Sequence, residues 1–409
     1  MFSKIRTSPP IAPRSRPADP PGIPHRALAA DGAAARKSAR GGFIYLACPW
    51  TDKGGGMFKV ADYLIQAQAP RQATGAAQLR PLDTRGSRGA VFSIWVCMGA
   101  LVRLVRGRGQ GLRGVHVNMA ERLSLLRKSL VLIVCRMLGI PSVLHLHAAQ
   151  LHHFYRRLPT ALQAPLRWVF SLPACVVVLG ESARGFVVDE LKVAPDKVEI
   201  VINGVPRPTA ARREPGPGRR QQLLFLGSDW QRKGLFDLLP ALARAGLGPA
   251  QVELVIAGHG DIEACRRKAR ACGVEALLRF EGWADQAKAA ALLAQADALV
   301  LPSHDEGLPL VILEALANGV AVVCTPVGEI ASVLTDGVDA CFVTPGDIGS
   351  IADGLCRVLR DEAFRLRLER RGRQLHEQQF SIGRFFARIA QIHRRHFGVS
   401  AAPGKGSRP

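Results

Sequence analysis

From Gly42 onward the chain alternates short apolar runs with helix-length stretches, and it does so twice. FIYLAC (43–48), GVHVNMA (114–120), PSVLHLH (141–147), ACVVVLG (174–180) and VEIVING (198–204) make the first series. QLLFLGS (222–228), VELVIAGHG (252–260), LRFEGW (278–283), ADALVLPS (296–303) and VAVVCT (320–325) make the second. Runs of this kind read as strands, and strands alternating with helices build a parallel sheet of Rossmann type. Between the series, VPRPTAARREPGPGRR (205–220) is a Pro-, Arg- and Gly-rich break that reads as a linker. The expected fold is therefore α/β, two Rossmann-like domains facing a central cleft. The N-terminal domain is expected over 41–205, the linker over 206–220 and the C-terminal domain over 221–380. In SIGRFFARIAQIHRRHF the apolar residues fall at helical spacing, so an amphipathic helix is expected over 381–398, with a disordered tail over 399–409. Ligands of such sheets sit beyond the carboxyl ends of the strands, which puts the expected site in the cleft.

The formal net charge is +22, and it is uneven. Residues 1–40 hold 8 Lys/Arg against 2 acids, 41–205 hold 20 against 9, and 206–409 hold 27 against 22. The first forty residues, rich in Pro, Ala and Arg, lack the apolar core of a secretory signal and are expected to be a disordered basic leader. Arg80–Arg136 is the densest part, with eleven basic and two acidic residues. Such an excess points to an anionic partner: a membrane surface, nucleic acid or a phosphorylated substrate. Only Phe92 and Trp95 interleave aromatics into that stretch, and no nucleic-acid module is recognisable, so no nucleic-acid partner is expected; a basic nucleic-acid-binding protein is the alternative from a different class. Gly89–Val102 and Trp168–Gly180, the longest uncharged apolar-rich stretches, fall short of the roughly 18–20 residues of a membrane span. The segment 121–139 reads as a helix with Arg122, Arg127 and Lys128 flanking Leu123, Leu126, Leu130 and Ile133, a face suited to an anionic membrane surface. Nine scattered cysteines without a C-x-x-C fit a reducing compartment and argue against a disulfide framework or structural zinc.

SHDEGLPLVILEALANGV (303–320) places Glu306 and Glu314 eight residues apart, the second inside an almost wholly apolar run. A buried ionised carboxylate is costly unless something polar meets it. The stretch reads as loop, then a helix starting near Pro309 or Leu310, whose free N–H groups at Gly307, Leu308, Leu310 and Val311 suit an oxygen-rich or anionic ligand. A ribose would satisfy Glu314; a basic partner for Glu314 and a solvated Glu306 are the plainer alternative. In FLGSDWQRKGLFDLL (225–239), Arg232 and Lys233 precede a helix beginning near Gly234, where two cations can neutralise a diphosphate, though alone they also read as a solvated turn. Gly258 in AGHGD is a glycine at a strand end. In VLHLHAAQLHH, His147 is placed at a strand end facing the cleft, with His145 on the same strand face. No acid or cysteine stands nearby to complete a metal site, and none is expected.

With these residues in view, 42–397 resembles family 4 of the retaining glycosyltransferases, of GT-B fold. The resemblance is carried by the Glu306 and Glu314 pair with its GLPLVILEALANGVAVVCTPVGEIASVL continuation, by IVINGV (200–205), by the glycine loop at Gly54, Gly55 and Gly56, and by HLHAAQ. It implies a metal-independent hexosyltransferase that moves a sugar from a nucleotide-diphosphate sugar to an acceptor hydroxyl with retention. The nucleotide sugar is a co-substrate and no cofactor is implied. By resemblance Glu306 lies near the donor sugar, Glu314 holds the ribose, and Lys233 with Arg232 holds the diphosphate. His147 serves the cleft, and Gly55, Gly56, Gly258, Gly307, Leu308, Pro309 and Leu310 contact the donor. Ser228 stands where many members have arginine, and Arg232 beside Lys233 resembles the RKG form of bacterial polysaccharide and lipopolysaccharide transferases. The implied acceptor is a saccharide or lipid-linked saccharide, handled by a cytoplasmic protein peripheral on the inner face of a bacterial plasma membrane. Within the same fold, a nucleotide-sugar epimerase is the alternative.

Overall fold

The computed structural model describes residues 42–51, 55–68, 77–121, 123–212 and 219–399. The expected leader 1–40, Gly54, Arg122 and the expected tail beyond 399 lie outside the described residues.

The first six strands are β1 (Phe43–Cys48), β2 (Gln78–Asp83), β3 (Leu112–Met119), β4 (Ser142–Leu146), β5 (Cys175–Val178) and β6 (Val198–Ile200). They form one parallel sheet in the order β2-β1-β3-β4-β5-β6. The second sheet holds β7 (Gln221–Leu226), β8 (Val252–Ala257), β9 (Leu278–Gly282), β10 (Ala298–Leu301), β11 (Ala321–Cys324) and β12 (Cys341–Phe342). Its order is β12-β11-β10-β7-β8-β9, again parallel throughout. Central strands such as β4, β5, β10 and β11 are buried along their whole length, because helices cover both faces.

Strand β2 was not among the expected runs. Its sequence, QLRPLD, carries Arg80 and Pro81, and it lies at the sheet edge, where a missing N–H is tolerated. Three helices shape the first domain: α1 (Gly56–Gln68), α2 (Ala90–Arg108) and α3 (Leu123–Met137). On α3 the expected membrane face needs correction. Lys128 is fully buried and its ammonium donates to the Thr84 hydroxyl, so it cannot face a bilayer. It shares the inward stripe of Leu125, Val131, Leu132 and Cys135, while Leu123, Leu126 and Leu130 face outward.

The last helix, Ile382–Phe397, packs against α1, β3 and β4 of the first domain through Phe385, Ile389, Ile392 and Phe397. Val205 accepts from Ile382 N–H at 3.0 Å and donates to the Phe380 carbonyl at 2.9 Å, so the two chain crossings between domains run side by side. Among the described residues no helix is long and apolar enough to cross a membrane.

Candidate active site

In each sheet the order reverses at one place, between β1 and β3 and between β7 and β10. Chains leaving neighbouring strands there diverge in opposite directions and open a crevice at the carboxyl ends. The two crevices face each other across one cavity of about 720 Å³. Gly55 and Gly56 after β1 and His147 after β4 line it from the first domain. Arg232, Lys233, Gly258 and the 306–311 segment line it from the second.

Two glycines let the second-domain loops close up. Gly258 has φ +129°, and a Cβ there would stand 2.1 Å from the Gly227 carbonyl. Gly234 has φ +74°, and a Cβ there would stand 2.0 Å from the Pro302 carbonyl. The basic turn is thus pressed onto the loop after β10, in front of helix Leu235–Arg244.

That contact decides what Glu306 touches. Its carboxylate is 8% exposed; Oε1 accepts from Lys233 Nζ at 2.5 Å and from Ser303 Oγ at 3.1 Å. Arg232 Nη1 lies 3.3 Å from Oε2, and its Nε donates to Asp229 at 3.0 Å. Burial works against the Arg232 charge, but Glu306 and Asp229 outweigh it and raise its pKa. Glu306 is therefore a buried, doubly paired acid rather than a solvated one.

Glu314 sits in helix Leu310–Asn318, all nine residues of which are buried. The basic partner left open by the sequence is Lys59 of α1, with Nζ 3.1 Å from Oε1 and 3.4 Å from Oε2. Tyr63, one turn further along α1, donates its hydroxyl to Oε1 at 2.9 Å. Burial first, then the Glu314 charge, pushes the Tyr63 phenol up, so it keeps the proton it donates. The apolar helix tolerates its acid because the opposite domain supplies these donors; the carboxylate still borders the cavity.

Gly307, Leu308, Pro309 and Leu310 lie on the cavity wall, and Gly56 approaches them: a Cβ there would be 3.6 Å from Leu310 Cδ1. Gln150 of the first domain donates to Asp305 at 2.9 Å. Glu329, 4% exposed, donates its N–H to the Gly307 carbonyl at 2.9 Å and accepts from Ala183 N–H at 2.8 Å. The first domain thus grips the 305–329 region at Asp305, Glu314 and Glu329. Lys59, Tyr63 and Glu329 were missed by the sequence reading. The only signal was a lysine and a tyrosine at i, i+4 after the glycine loop, which is also plain helix patterning.

His147 Nε2 pairs with Asn118 Oδ1 at 2.9 Å. Behind it, His145 Nδ1 faces His116 Nε2 at 3.3 Å, and His116 Nδ1 faces His393 Nε2 at 2.9 Å. Burial pushes His116 and His147 down to about 3, with His116 adding to the effect on His147, so these rings are neutral. Burial likewise holds His145 and His393 well below the usual range.

Away from the cleft, Cys175, Glu199 and His396 are the one group of three among the described residues close enough to share a metal ion. Two guanidiniums, Arg388 (3.0 Å) and Arg395, already take Glu199, and burial pushes the Cys175 thiol up to about 12. That chemistry does not suit a metal.

Two Rossmann-like domains facing one another across a shared cleft define the GT-B architecture. Residues 220–361 match the family Glycosyl transferases group 1. Over 202 residues the chain is 33% identical to the glycogen synthase of Mycobacterium tuberculosis, covering 48% of each chain. Over 217 residues it is 34% identical to the phosphatidyl-myo-inositol mannosyltransferase of the same species, covering 51% of this chain and 56% of that one. The chain thus spans about half the length of the curated relatives it matches. The solved structure of Anabaena Alr3699/HepE in complex with UDP-glucose shares the fold, with a TM-score of 0.68 at 16% identity over 87% of this chain and all of that one.

Proposed function

We propose that this protein is a glycosyltransferase that moves a hexose from a nucleotide-diphosphate sugar to an acceptor hydroxyl, with retention and without a metal ion. The observation that carries this reading is the convergence of Glu306, Lys233, Arg232 and Glu314 on one cavity at the switch points of both sheets. The similar Anabaena structure, in complex with UDP-glucose, supports a nucleotide-sugar donor. In this reading Glu314 takes the ribose hydroxyls through its cavity-facing carboxylate. Lys233 and Arg232 turn from Glu306 toward the departing diphosphate, whose growing charge they stabilise, helped by the N–H groups of Gly307, Leu308 and Leu310. Glu306 then faces the donor sugar. His147, neutral, offers a hydrogen bond to a sugar hydroxyl.

The acceptor is read as a lipid-linked saccharide of bacterial exopolysaccharide or lipopolysaccharide synthesis, met at the inner face of the membrane. Support comes from an outward row on α2: Val91 (74% exposed), Ile94 (61%) and Trp95 (73%), continued by Met98, Val102 and Val105. Leu123, Leu126 and Leu130 of the adjoining α3 extend it, and Arg106, Arg108 and Arg136 stand exposed around it. An apolar row set among cations suits shallow insertion into an anionic bilayer.

A thermal-shift screen across UDP-, GDP- and ADP-sugars tests the reading. One nucleotide series should raise Tm with concentration, as a ligand that binds only the native state must. No shift with any nucleotide would refute it.

A further inference from the structure

Helix α2 carries a glycine, Gly99, near its middle. Glycine inside a helix is destabilising relative to alanine, and crowding does not explain this one: a Cβ built at Gly99 meets nothing within 4 Å. Instead, its missing side chain borders a cavity of about 450 Å³, within the size range of small-molecule sites. Phe92, Val96 and Arg103 flank Gly99 on the same stripe of α2, and Trp50, Thr51 and Asp83 form the opposite wall. Pro49 and Arg85, next in sequence to this wall, line the main cleft, so the two spaces adjoin.

The wall is preformed. Asp83 accepts N–H groups from Trp50 at 3.2 Å, Arg85 at 2.9 Å and Gly86 at 3.1 Å, fixing the loops after β1 and β2 to one another. Trp50 is anchored further by its indole N–H on the Leu46 carbonyl at 3.2 Å. Arg103 makes no ion pair or hydrogen bond among the described residues, so its guanidinium is available. Helix α2 thus has three faces: Ser93, Cys97, Ala100 and Leu104 turn inward, the Gly99 stripe lines the cavity, and the apolar row faces outward.

We infer that this cavity is a carbohydrate subsite for a sugar unit of the acceptor that carries an anionic group, phosphoryl or carboxyl, opposite Arg103. The inference rests on the glycosyltransferase reading. A sugar ring has apolar faces that pack on an indole and rim hydroxyls that need partners such as Asp83 and Thr51. A guanidinium gives forked hydrogen bonds to a phosphoryl or carboxyl group. A lipid carrier lying on the outward face of α2 would deliver such a group directly into the neighbouring stripe.

The test is ligand-observed NMR on the full chain with glucose 1-phosphate, glucuronate and methyl glucoside, in the presence of UDP, alongside calorimetry of UDP, GDP and ADP. Wild type should bind the charged probes more tightly than methyl glucoside. Gly99→Leu, which fills the cavity, should weaken them at least tenfold while Tm holds or rises and UDP affinity stays unchanged. Arg103→Gln should bring the charged probes down to the level of methyl glucoside. Tighter binding of glucose 1-phosphate assigns a phosphoryl acceptor, and tighter binding of glucuronate a uronate. Equal binding to wild type and Gly99→Leu, or no charged probe bound by wild type, would overturn the inference. Failure of every nucleotide diphosphate to bind would instead strike the glycosyltransferase reading, and it is read separately in the calorimetry.

Discussion

Acidification from pH 7 to pH 5 should destabilise this protein well before its carboxylates titrate. Desolvation pushes His116, fully buried, and His147, half-buried on the cavity wall, down to about 3, against about 6.5 for the free side chain. A histidine lowered in the native state is protonated first in the unfolded chain. Its stabilising effect is therefore complete above pH 6.5 and lost as pH falls toward 3. Between pH 7 and pH 5 the fully buried His116 ring forfeits about 2 kcal/mol, and the half-buried His147 adds to it in the same direction. His145 and His393, also lowered, act in the same direction. Against a total stability on the order of 5–15 kcal/mol, that loss is large. Urea unfolding followed by tryptophan fluorescence at pH 7.5, 6 and 5 measures it. The midpoint should fall at each step, with most of the change below pH 6.5. Equal midpoints at pH 7.5 and pH 5 would refute the neutral, buried histidine chain.

Lys233→Ala should lower turnover more than it weakens donor binding, because charge on the diphosphate grows toward the transition state. Arg232→Ala should do the same in steady-state kinetics; a silent Arg232→Ala beside a severe Lys233→Ala would leave the diphosphate to the lysine alone. EDTA should leave the rate unchanged, and a strict need for Mg²⁺ or Mn²⁺ would contradict the metal-free reaction. In flotation assays the protein should bind anionic liposomes, less so as salt rises, and Trp95→Ser with Arg106→Gln should reduce binding; negligible flotation with every liposome would remove the membrane reading.

The two-sheet plan was legible because a parallel strand buried on both faces leaves an apolar run that few other structures produce. Strand β2 was not, since Arg80 and Pro81 break the run and only its edge position makes them tolerable. Helical spacing showed which residues of α3 share a stripe but not which stripe packs down, and so Lys128 was set on the wrong side. At the cleft, the 306–314 segment stood out because an acid in an apolar helix demands a partner. The partner itself, Lys59, is 255 residues away from Glu314, and only the docking of the two domains brings them together. The same holds for Glu329, whose carboxylate reaches Ala183 across the domains.

Calorimetric titration of UDP, GDP and ADP into wild type and Glu314→Gln tests whether Glu314 and its neighbours hold a nucleotide diphosphate. Loss of a charged acceptor for ribose hydroxyls should cost about 1.5–3 kcal/mol, roughly a 10- to 150-fold weaker Kd for the preferred nucleotide, with Tm evidence of an intact fold. An unchanged Kd in a folded Glu314→Gln would contradict a ribose contact at Glu314.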